Sequence, residues 1–214
     1  MKTQSDPILL EALRQHGEQS LAEVFLRYRD RLERIIGLRL DPRVSARVDT
    51  EDVLQETFLE ARKRLSRFLG DPSVAVFVWL RGVALDTLIH IHRRHLAQMR
   101  DAGREVSLHV RPAPQVSSIS LAGWLIADLT SPSHAAMRDE VTKTIEEVID
   151  GMDPVDREML ILRHFEQLTN DEVASILGVK KAAASRRYMR ALKRFREAVE
   201  AIPGFDSDAG LLLQ

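Results

Sequence analysis

The 214-residue chain contains no cysteine, which excludes disulfides, thiolate metal sites and cysteine nucleophiles. No apolar run approaches the length of about 20 residues needed to span a bilayer. The opening MKTQSDPILLEALRQHGEQS also lacks the apolar core of a signal peptide. A soluble, cytoplasmic chain without membrane insertion is the expectation. Catalytic signatures are equally scarce, with no glycine-rich phosphate loop, no nucleophile elbow and no H-E-x-x-H. The run HIHRRH, His90 to His95, invites a histidine–metal site, but His90 and His92 lie about 200° apart on a helix. A histidine–metal enzyme is therefore the remotest reading. The chain is expected to be no enzyme and to hold no cofactor or metal. Internal repeats and low-complexity tracts are absent. Strand signals are nearly missing too, because apolar residues recur at spacings of three and four, so the fold class is read as all-α.

What is present is charge, and it is segregated. Lysine and arginine total 31 against 32 aspartate and glutamate, a formal net charge of -1. Basic residues concentrate at His90 to Arg104 and Lys180 to Arg196, and acidic ones at Asp49 to Glu60 and Asp139 to Asp156. That asymmetry suits a chain with one face for nucleic acid and another for protein.

The segment Asp153 to Val199 spells a helix-turn-helix. Pro154 can open a helix because its missing N–H falls where donors are unpaired anyway. Met159, Leu160, Leu162 and Phe165 then supply an apolar stripe, predicting a helix to about Phe165. Thr169 and Glu172 form a capping box before the short apolar run Val173, Ala174, Ile176 and Leu177, and Gly178 closes that helix. From about Lys180 a further helix turns Ala184, Tyr188, Ala191 and Phe195 inward. Its remaining faces carry Lys180, Lys181, Arg186, Arg187, Arg190, Lys193, Arg194 and Arg196, with no carboxylate before Glu197. A basic run is often a solvated helix face. Here no i+4 glutamates neutralise the arginines, and the run occupies the position that enters the major groove, where phosphate attraction and counterion release drive binding.

Upstream, Leu21, Phe25, Tyr28, Leu32, Ile35 and Ile36 mark one amphipathic helix. Thr50 to Leu65 marks another through Val53, Leu54, Phe58, Ala61 and Leu65, and Asp71 and Pro72 break the pattern. A third begins near Val76, carries Phe77, Leu80, Ala84 and Leu88 inward, and ends in the basic His90 to His95. Two small helical domains follow, at residues 1–100 and 134–202, with a linker at 101–133 and a tail at 203–214. Prolines 112, 114 and 132 and several serines mark the linker. Within it, the apolar Ile119 to Leu129, with Trp124, suits a short docked helix that clasps the two domains.

These segments resemble the extracytoplasmic-function group of the sigma-70 family, small RNA polymerase sigma factors built from two helical domains and a linker. Asp49-Thr50-Glu51-Asp52-Val53-Leu54-Gln55-Glu56-Thr57-Phe58 matches the family's D-x-E-D-[LV]-[VL]-Q-E-x-F signature. Phe77-Val78-Trp79-Leu80-Arg81-Gly82-Val83-Ala84 resembles its F-x-x-W-L-x-x-[IV]-A. Arg104 to Leu108 and Thr130 to Ser133 are similar to a planctomycete-type subgroup. The resemblance implies a promoter-specific initiation factor with core RNA polymerase, promoter DNA and an anti-sigma protein as partners, the last with no residue assigned. A stand-alone dimeric helix-turn-helix regulator is the alternative; it would leave both quoted N-terminal segments without a role.

Carried over residue by residue, the resemblance implies polymerase docking by Asp52, Gln55 and Glu56. An acidic first turn stabilising its own helix dipole would account for Asp52 but not for Gln55 or Glu56. The minus-10 element would meet Arg81, Asp86, His90, Arg93 and Arg94, and the loop from Gly70 to Val76 would cover an extruded base. Trp79, inside a helical stripe, reads as core rather than as a stacking platform. Asp86 stands where the family usually has Asn, and His90 where it has Asp or Asn. A carboxylate neither donates a hydrogen bond nor attracts phosphate, so these departures imply a different base selectivity or a differently built pocket. Minus-35 bases would be read by Ser185, Arg186, Met189 and Arg190, and phosphates held by Lys181, Arg187, Lys193 and Arg194. Lys180 replaces the Ser or Thr common at that helix cap.

Overall fold

The structure is a computed structural model that describes residues 6–101 and 135–201. Those residues form nine α-helices and one π-helical turn, with no strand among them. The chain divides into two compact units, residues 1–115 and 116–214. The division falls inside the segment read as a linker. The described residues include neither Ile119 to Leu129 with Trp124 nor the segments at Arg104 and Thr130.

In the first unit, helix α1 (Asp6–His16) leads into α2 (Glu18–Arg39), the short α3 (Pro42–Ser45), α4 (Thr50–Gly70) and α5 (Val76–Asp101). Helix α1 is an addition to the sequence reading. It buries Leu13 completely and packs on α2, α4 and α5. The expected stripe of α2 is inward, with Leu21, Phe25, Tyr28, Leu32, Ile35 and Ile36 all buried. Asp41 starts α3 by accepting from the Arg43 N–H at 2.8 Å and is gripped by the Arg43 guanidinium through Nε and Nη2. That grip, ahead of the opposing effect of burial, holds the Asp41 carboxyl below its ordinary range. The Asp41 N–H donates to His92 Nε2 at 3.2 Å, tying the corner to α5. Burial pushes the His92 imidazole down, outweighing the nearby Asp41 charge.

Helix α4 opens with a reciprocal cap in which Asp49 Oδ1 accepts from the Asp52 N–H at 2.8 Å and Asp52 Oδ2 accepts from the Asp49 N–H at 3.1 Å. A cap of this kind contributes about 0.5 to 2 kcal/mol. Aromatic pairs fasten the interior: Phe25 meets Phe58 edge-on at 5.2 Å, and Trp79 stacks on Phe68 at 4.3 Å and 7°.

The second unit holds α6 (Ala135–Gly151), α7 (Pro154–Leu160) continued by a π-helical turn (Ile161–Phe165), α8 (Asn170–Leu177) and α9 (Lys181–Glu200). Asp153 caps α7, accepting from the Val155 and Asp156 amides at 2.9 and 3.3 Å. The expected helix to Phe165 thus ends in a π turn, because the Glu166 N–H reaches back five residues to the Ile161 carbonyl at 2.9 Å. Gln167 then takes a left-handed φ of 53°. This sharp exit aims the chain at Thr169, whose capping box with Glu172 is present. Gly178 closes α8 at φ 63° and ψ 31°, the left-handed region that favours glycine. Helix α9 packs on α6, α7 and α8.

Candidate nucleic-acid interface

Helix α9 separates its faces cleanly. Ala184, Ala191, Leu192 and Phe195 are buried against the other helices. Arg186, Met189, Arg190, Lys193 and Arg194 are exposed, with Met189 at 60%. Ser185 and Arg187 are half-buried beside them. The spacing of 186, 189 and 190 places these three side chains on one face. Two arginines and an apolar side chain there match what a major groove offers, guanine acceptors and the thymine methyl. Lys180 offers its carbonyl to the Ala183 and Ala184 amides at 2.8 and 3.0 Å, so it stands at the cap without a side-chain oxygen to contribute.

The basic face is less free of carboxylates than the linear pattern predicts. Lys181 Nζ lies 2.8 Å from Asp171 Oδ2 on α8, and Arg194 Nη1 lies 2.6 Å from Asp156 Oδ2 on α7. Lys193 meets Glu197 at 3.6 Å. Asp171 and Asp156 sit on neighbouring helices, where a search along α9 does not look, and Glu197 is the i+4 neighbour of Lys193 at the end of the basic run. Ser185 Oγ accepts from Asn170 Nδ2 at 3.0 Å. Under the helix, the Tyr188 hydroxyl and His164 Nε2 are 2.8 Å apart, and Arg163 stands over the Tyr188 ring at 5.1 Å. Arg163 Nη1 also donates to the Leu168 carbonyl. Burial lowers the His164 pKa, with Arg163 adding to the effect, and burial raises that of Tyr188.

In the first unit, α4 and α5 flank a polar cleft of about 540 Å³. Glu56, Glu60 and Arg64 line one wall at helical spacing, and Asp86, His90, Arg93 and Arg94 the other. Two ion pairs cross it: Arg64 Nη1 donates to Asp86 Oδ2 at 2.7 Å, and Arg94 Nη2 to Glu56 Oε1 at 3.0 Å. The structure thus brings Glu56 together with Asp86, His90, Arg93 and Arg94. Asp52 and Gln55 are exposed on α4, Asp52 engaged in its cap.

Arg81 corrects the expectation, being only 7% exposed. The signal was available: Phe77, Leu80, Arg81, Ala84 and Leu88 follow i, i+3, i+4, i+7 and i+11, which puts Arg81 inside the apolar stripe. Trp79 is half-buried on Phe68, as a packing residue. Residues 71–75, exposed or half-buried, form the loop between α4 and α5.

An all-α chain whose second unit presents a capped helix-turn-helix with an exposed cationic face defines a class: DNA-binding proteins of the helix-turn-helix type. Residues 142–195 match the family model "Sigma-70, region 4". The chain is 24% identical over 199 residues to the RNA polymerase sigma-H factor of Pseudomonas aeruginosa, covering 93% of this chain and 96% of that protein. It is 24% identical over 201 residues to the ECF RNA polymerase sigma-E factor of Escherichia coli K12, covering 92% and 93% respectively. Among solved structures, CnrH in complex with the cytosolic domain of CnrY shares the fold, with a TM-score of 0.52 and 19% identity over 92% of this chain and 99% of that one. The chain is thus similar to RNA polymerase sigma factors along most of its length, and its second unit to their region 4.

Proposed function

We infer that this chain is a promoter-recognition subunit that binds core RNA polymerase, directs it to specific promoters, and has no catalysis or cofactor of its own. The observation that carries the reading is the exposed Arg186, Met189 and Arg190 face of α9, presented by a capped helix-turn-helix inside the segment that matches region 4. In this reading Ser185, Arg186, Met189 and Arg190 read minus-35 bases, and Lys181, Arg187, Lys193 and Arg194 hold phosphates. Asp52, Gln55 and Glu56 dock on the polymerase. Asp86, His90, Arg93 and Arg94 meet the minus-10 strand, with Arg81 supporting their helix from inside.

The domains of this reading are residues 1–100, a linker at 101–133, the reader at 134–202 and a tail at 203–214. No helix among the described residues is long and apolar enough to cross a membrane, which fits work beside a cytoplasmic polymerase. A further protein partner, in this reading an anti-sigma protein, is supported by the structural neighbour CnrH, which was solved in complex with the cytosolic domain of CnrY. A stand-alone dimeric regulator would leave α4 and its D-x-E-D-x-x-Q-E-x-F face unused, although relatives align through both units.

The test is association of the purified chain with bacterial core polymerase, followed by run-off transcription from a genomic promoter library. Stoichiometric binding with selective initiation is expected, and replacement of Gln55 and Glu56 by alanine abolishes the association. DNA binding with no affinity for core would overturn the reading in favour of the stand-alone regulator.

A further inference from the structure

Asn170 lies off the groove face, at the first position of α8, yet its side chain reaches 15 residues along the chain to Ser185. Its backbone is held by the Thr169–Glu172 capping box, in which the Thr169 N–H donates to Glu172 Oε2 at 2.7 Å and the Glu172 N–H to Thr169 Oγ1 at 3.2 Å. From that anchor Asn170 Nδ2 donates to Ser185 Oγ at 3.0 Å, while Asn170 Oδ1 is buried with no hydrogen-bond partner. The opposite amide orientation would place two N–H donors in that enclosed position. An orphaned buried N–H is rarer in proteins than an under-satisfied carbonyl. The arrangement therefore leaves Ser185 Oγ as the acceptor and its own O–H pointing elsewhere.

We propose that Asn170 is a positioning residue that sets the polarity with which Ser185 meets DNA, making the Ser185 hydroxyl a donor toward a base acceptor. This rests on the reading of α9 as the groove helix. An oxygen that already accepts one hydrogen bond becomes a stronger donor through cooperativity. In the major groove guanine offers N7 and O6, adenine N7 and thymine O4, whereas cytosine offers only its N4 donor. A donor-mode Ser185 thus disfavours cytosine on the strand it contacts. Serine alone is compatible with any base; Asn170 supplies the missing selectivity.

The experiment uses the full chain reconstituted with core polymerase and a promoter library randomised upstream. Ser185→Ala identifies the position read by Ser185, as the one whose base preference flattens. At that position the unaltered chain should disfavour cytosine by about two- to tenfold, the range of one net hydrogen bond. Asn170→Asp can only accept, so the Ser185 hydroxyl must turn inward and present lone pairs outward. Cytosine should then be gained at that position alone. Asn170→Ala, which frees the hydroxyl, should flatten it. A purely structural role for Asn170 would weaken every position alike and could not reverse one. Wild-type preference retained in both Asn170 variants, while Ser185→Ala flattens the position, overturns the proposal. So does a Ser185→Ala profile with no altered position while Arg186→Ala alters others; the groove reading survives that outcome. No altered position in either the Ser185 or the Arg186 variant removes the groove reading itself.

Discussion

Truncating Arg194 separates two jobs that a basic residue on α9 can have. Its Nη1 lies 2.6 Å from Asp156 Oδ2; the Asp156 side chain is 10% exposed and that of Arg194 is 65% exposed. An ion pair exposed on both sides contributes about 0 to 1 kcal/mol. Removing one partner of a wholly buried pair costs about 3 to 5 kcal/mol. This pair is buried on the carboxylate side only, so its loss falls between those limits. Asp156 also sits in the first turn of α7, where the helix dipole returns about 0.3 to 1 kcal/mol to an anion. Arg194→Ala should therefore destabilise the second unit by about 1 to 2 kcal/mol. Amide hydrogen exchange on the full chain reads this locally, as an acceleration on the order of tenfold in α7 to α9 with α2 to α5 unchanged. Adding Asp156→Asn to Arg194→Ala should restore part of the protection by removing the stranded charge. Unaltered protection in Arg194→Ala, together with a DNA-affinity loss equal to that of Lys193→Ala, would refute the argument and return Arg194 to a pure phosphate contact.

Acidification should loosen the second unit. The lowered His164 pKa, caused first by burial and then by Arg163, means that the folded state binds fewer protons than the unfolded one. Its contribution is full above the unfolded value of about 6.5 and is lost as pH falls below it. Exchange protection in α7 to α9 should drop between about pH 7.5 and 5.5, and a constant value would contradict this. Gly178→Ala should cost about 1 kcal/mol, because its Cβ meets no atom within 4 Å and the only penalty is the left-handed φ of 63°. Gly82→Ala, also in open space but inside α5, should stabilise by about 0.5 to 1 kcal/mol. Urea titration of each variant checks the opposite signs. Arg186→Ala should relax base preference upstream, whereas Lys193→Ala should weaken all sequences alike. Equal losses across a promoter library in both variants would refute that division of roles.

Much of the helix architecture was legible because burial is periodic. The stripes of α2, α5 and α9 and the Thr169–Glu172 box are written as i, i+3 and i+4 spacings, and the fold follows them. Helix α1 escaped because its apolar residues make no clean stripe: Leu13 is fully buried, Leu9 and Leu10 are half-buried, and Ile8 is exposed. The π turn escaped because nothing in Ile161 to Phe165 differs from an α pattern until the Glu166 amide reaches Ile161. At the candidate site the residue types were legible and their partners were not. Arg194 reads as a free cation in the chain, but its carboxylate lies 38 residues earlier on another helix. The pairs Arg64–Asp86 and Arg94–Glu56 likewise join α4 to α5 across 22 and 38 residues. Asp86 illustrates the effect most directly: the isolated carboxylate looked repulsive to phosphate, and in the folded chain an arginine already holds it.

The carboxylates beside α9 bear on its affinity for a polyanion in a way that its count of basic residues conceals. Lys181 with Asp171, Lys193 with Glu197 and Arg194 with Asp156 enter any encounter with part of their counter-ion atmosphere covalently attached. A phosphate that takes one of these cations strands a carboxylate, which then collects a cation from solution. The ion released from the duplex is offset by the ion taken up, and that contact adds little to the salt dependence of binding. Among the described residues no carboxylate pairs with Arg186, Arg187 or Arg190. Of the four side chains read as phosphate holders, Arg187 keeps its full weight in the slope of affinity against salt, and a helix rich in positive charge binds with the ionic signature of a much sparser one.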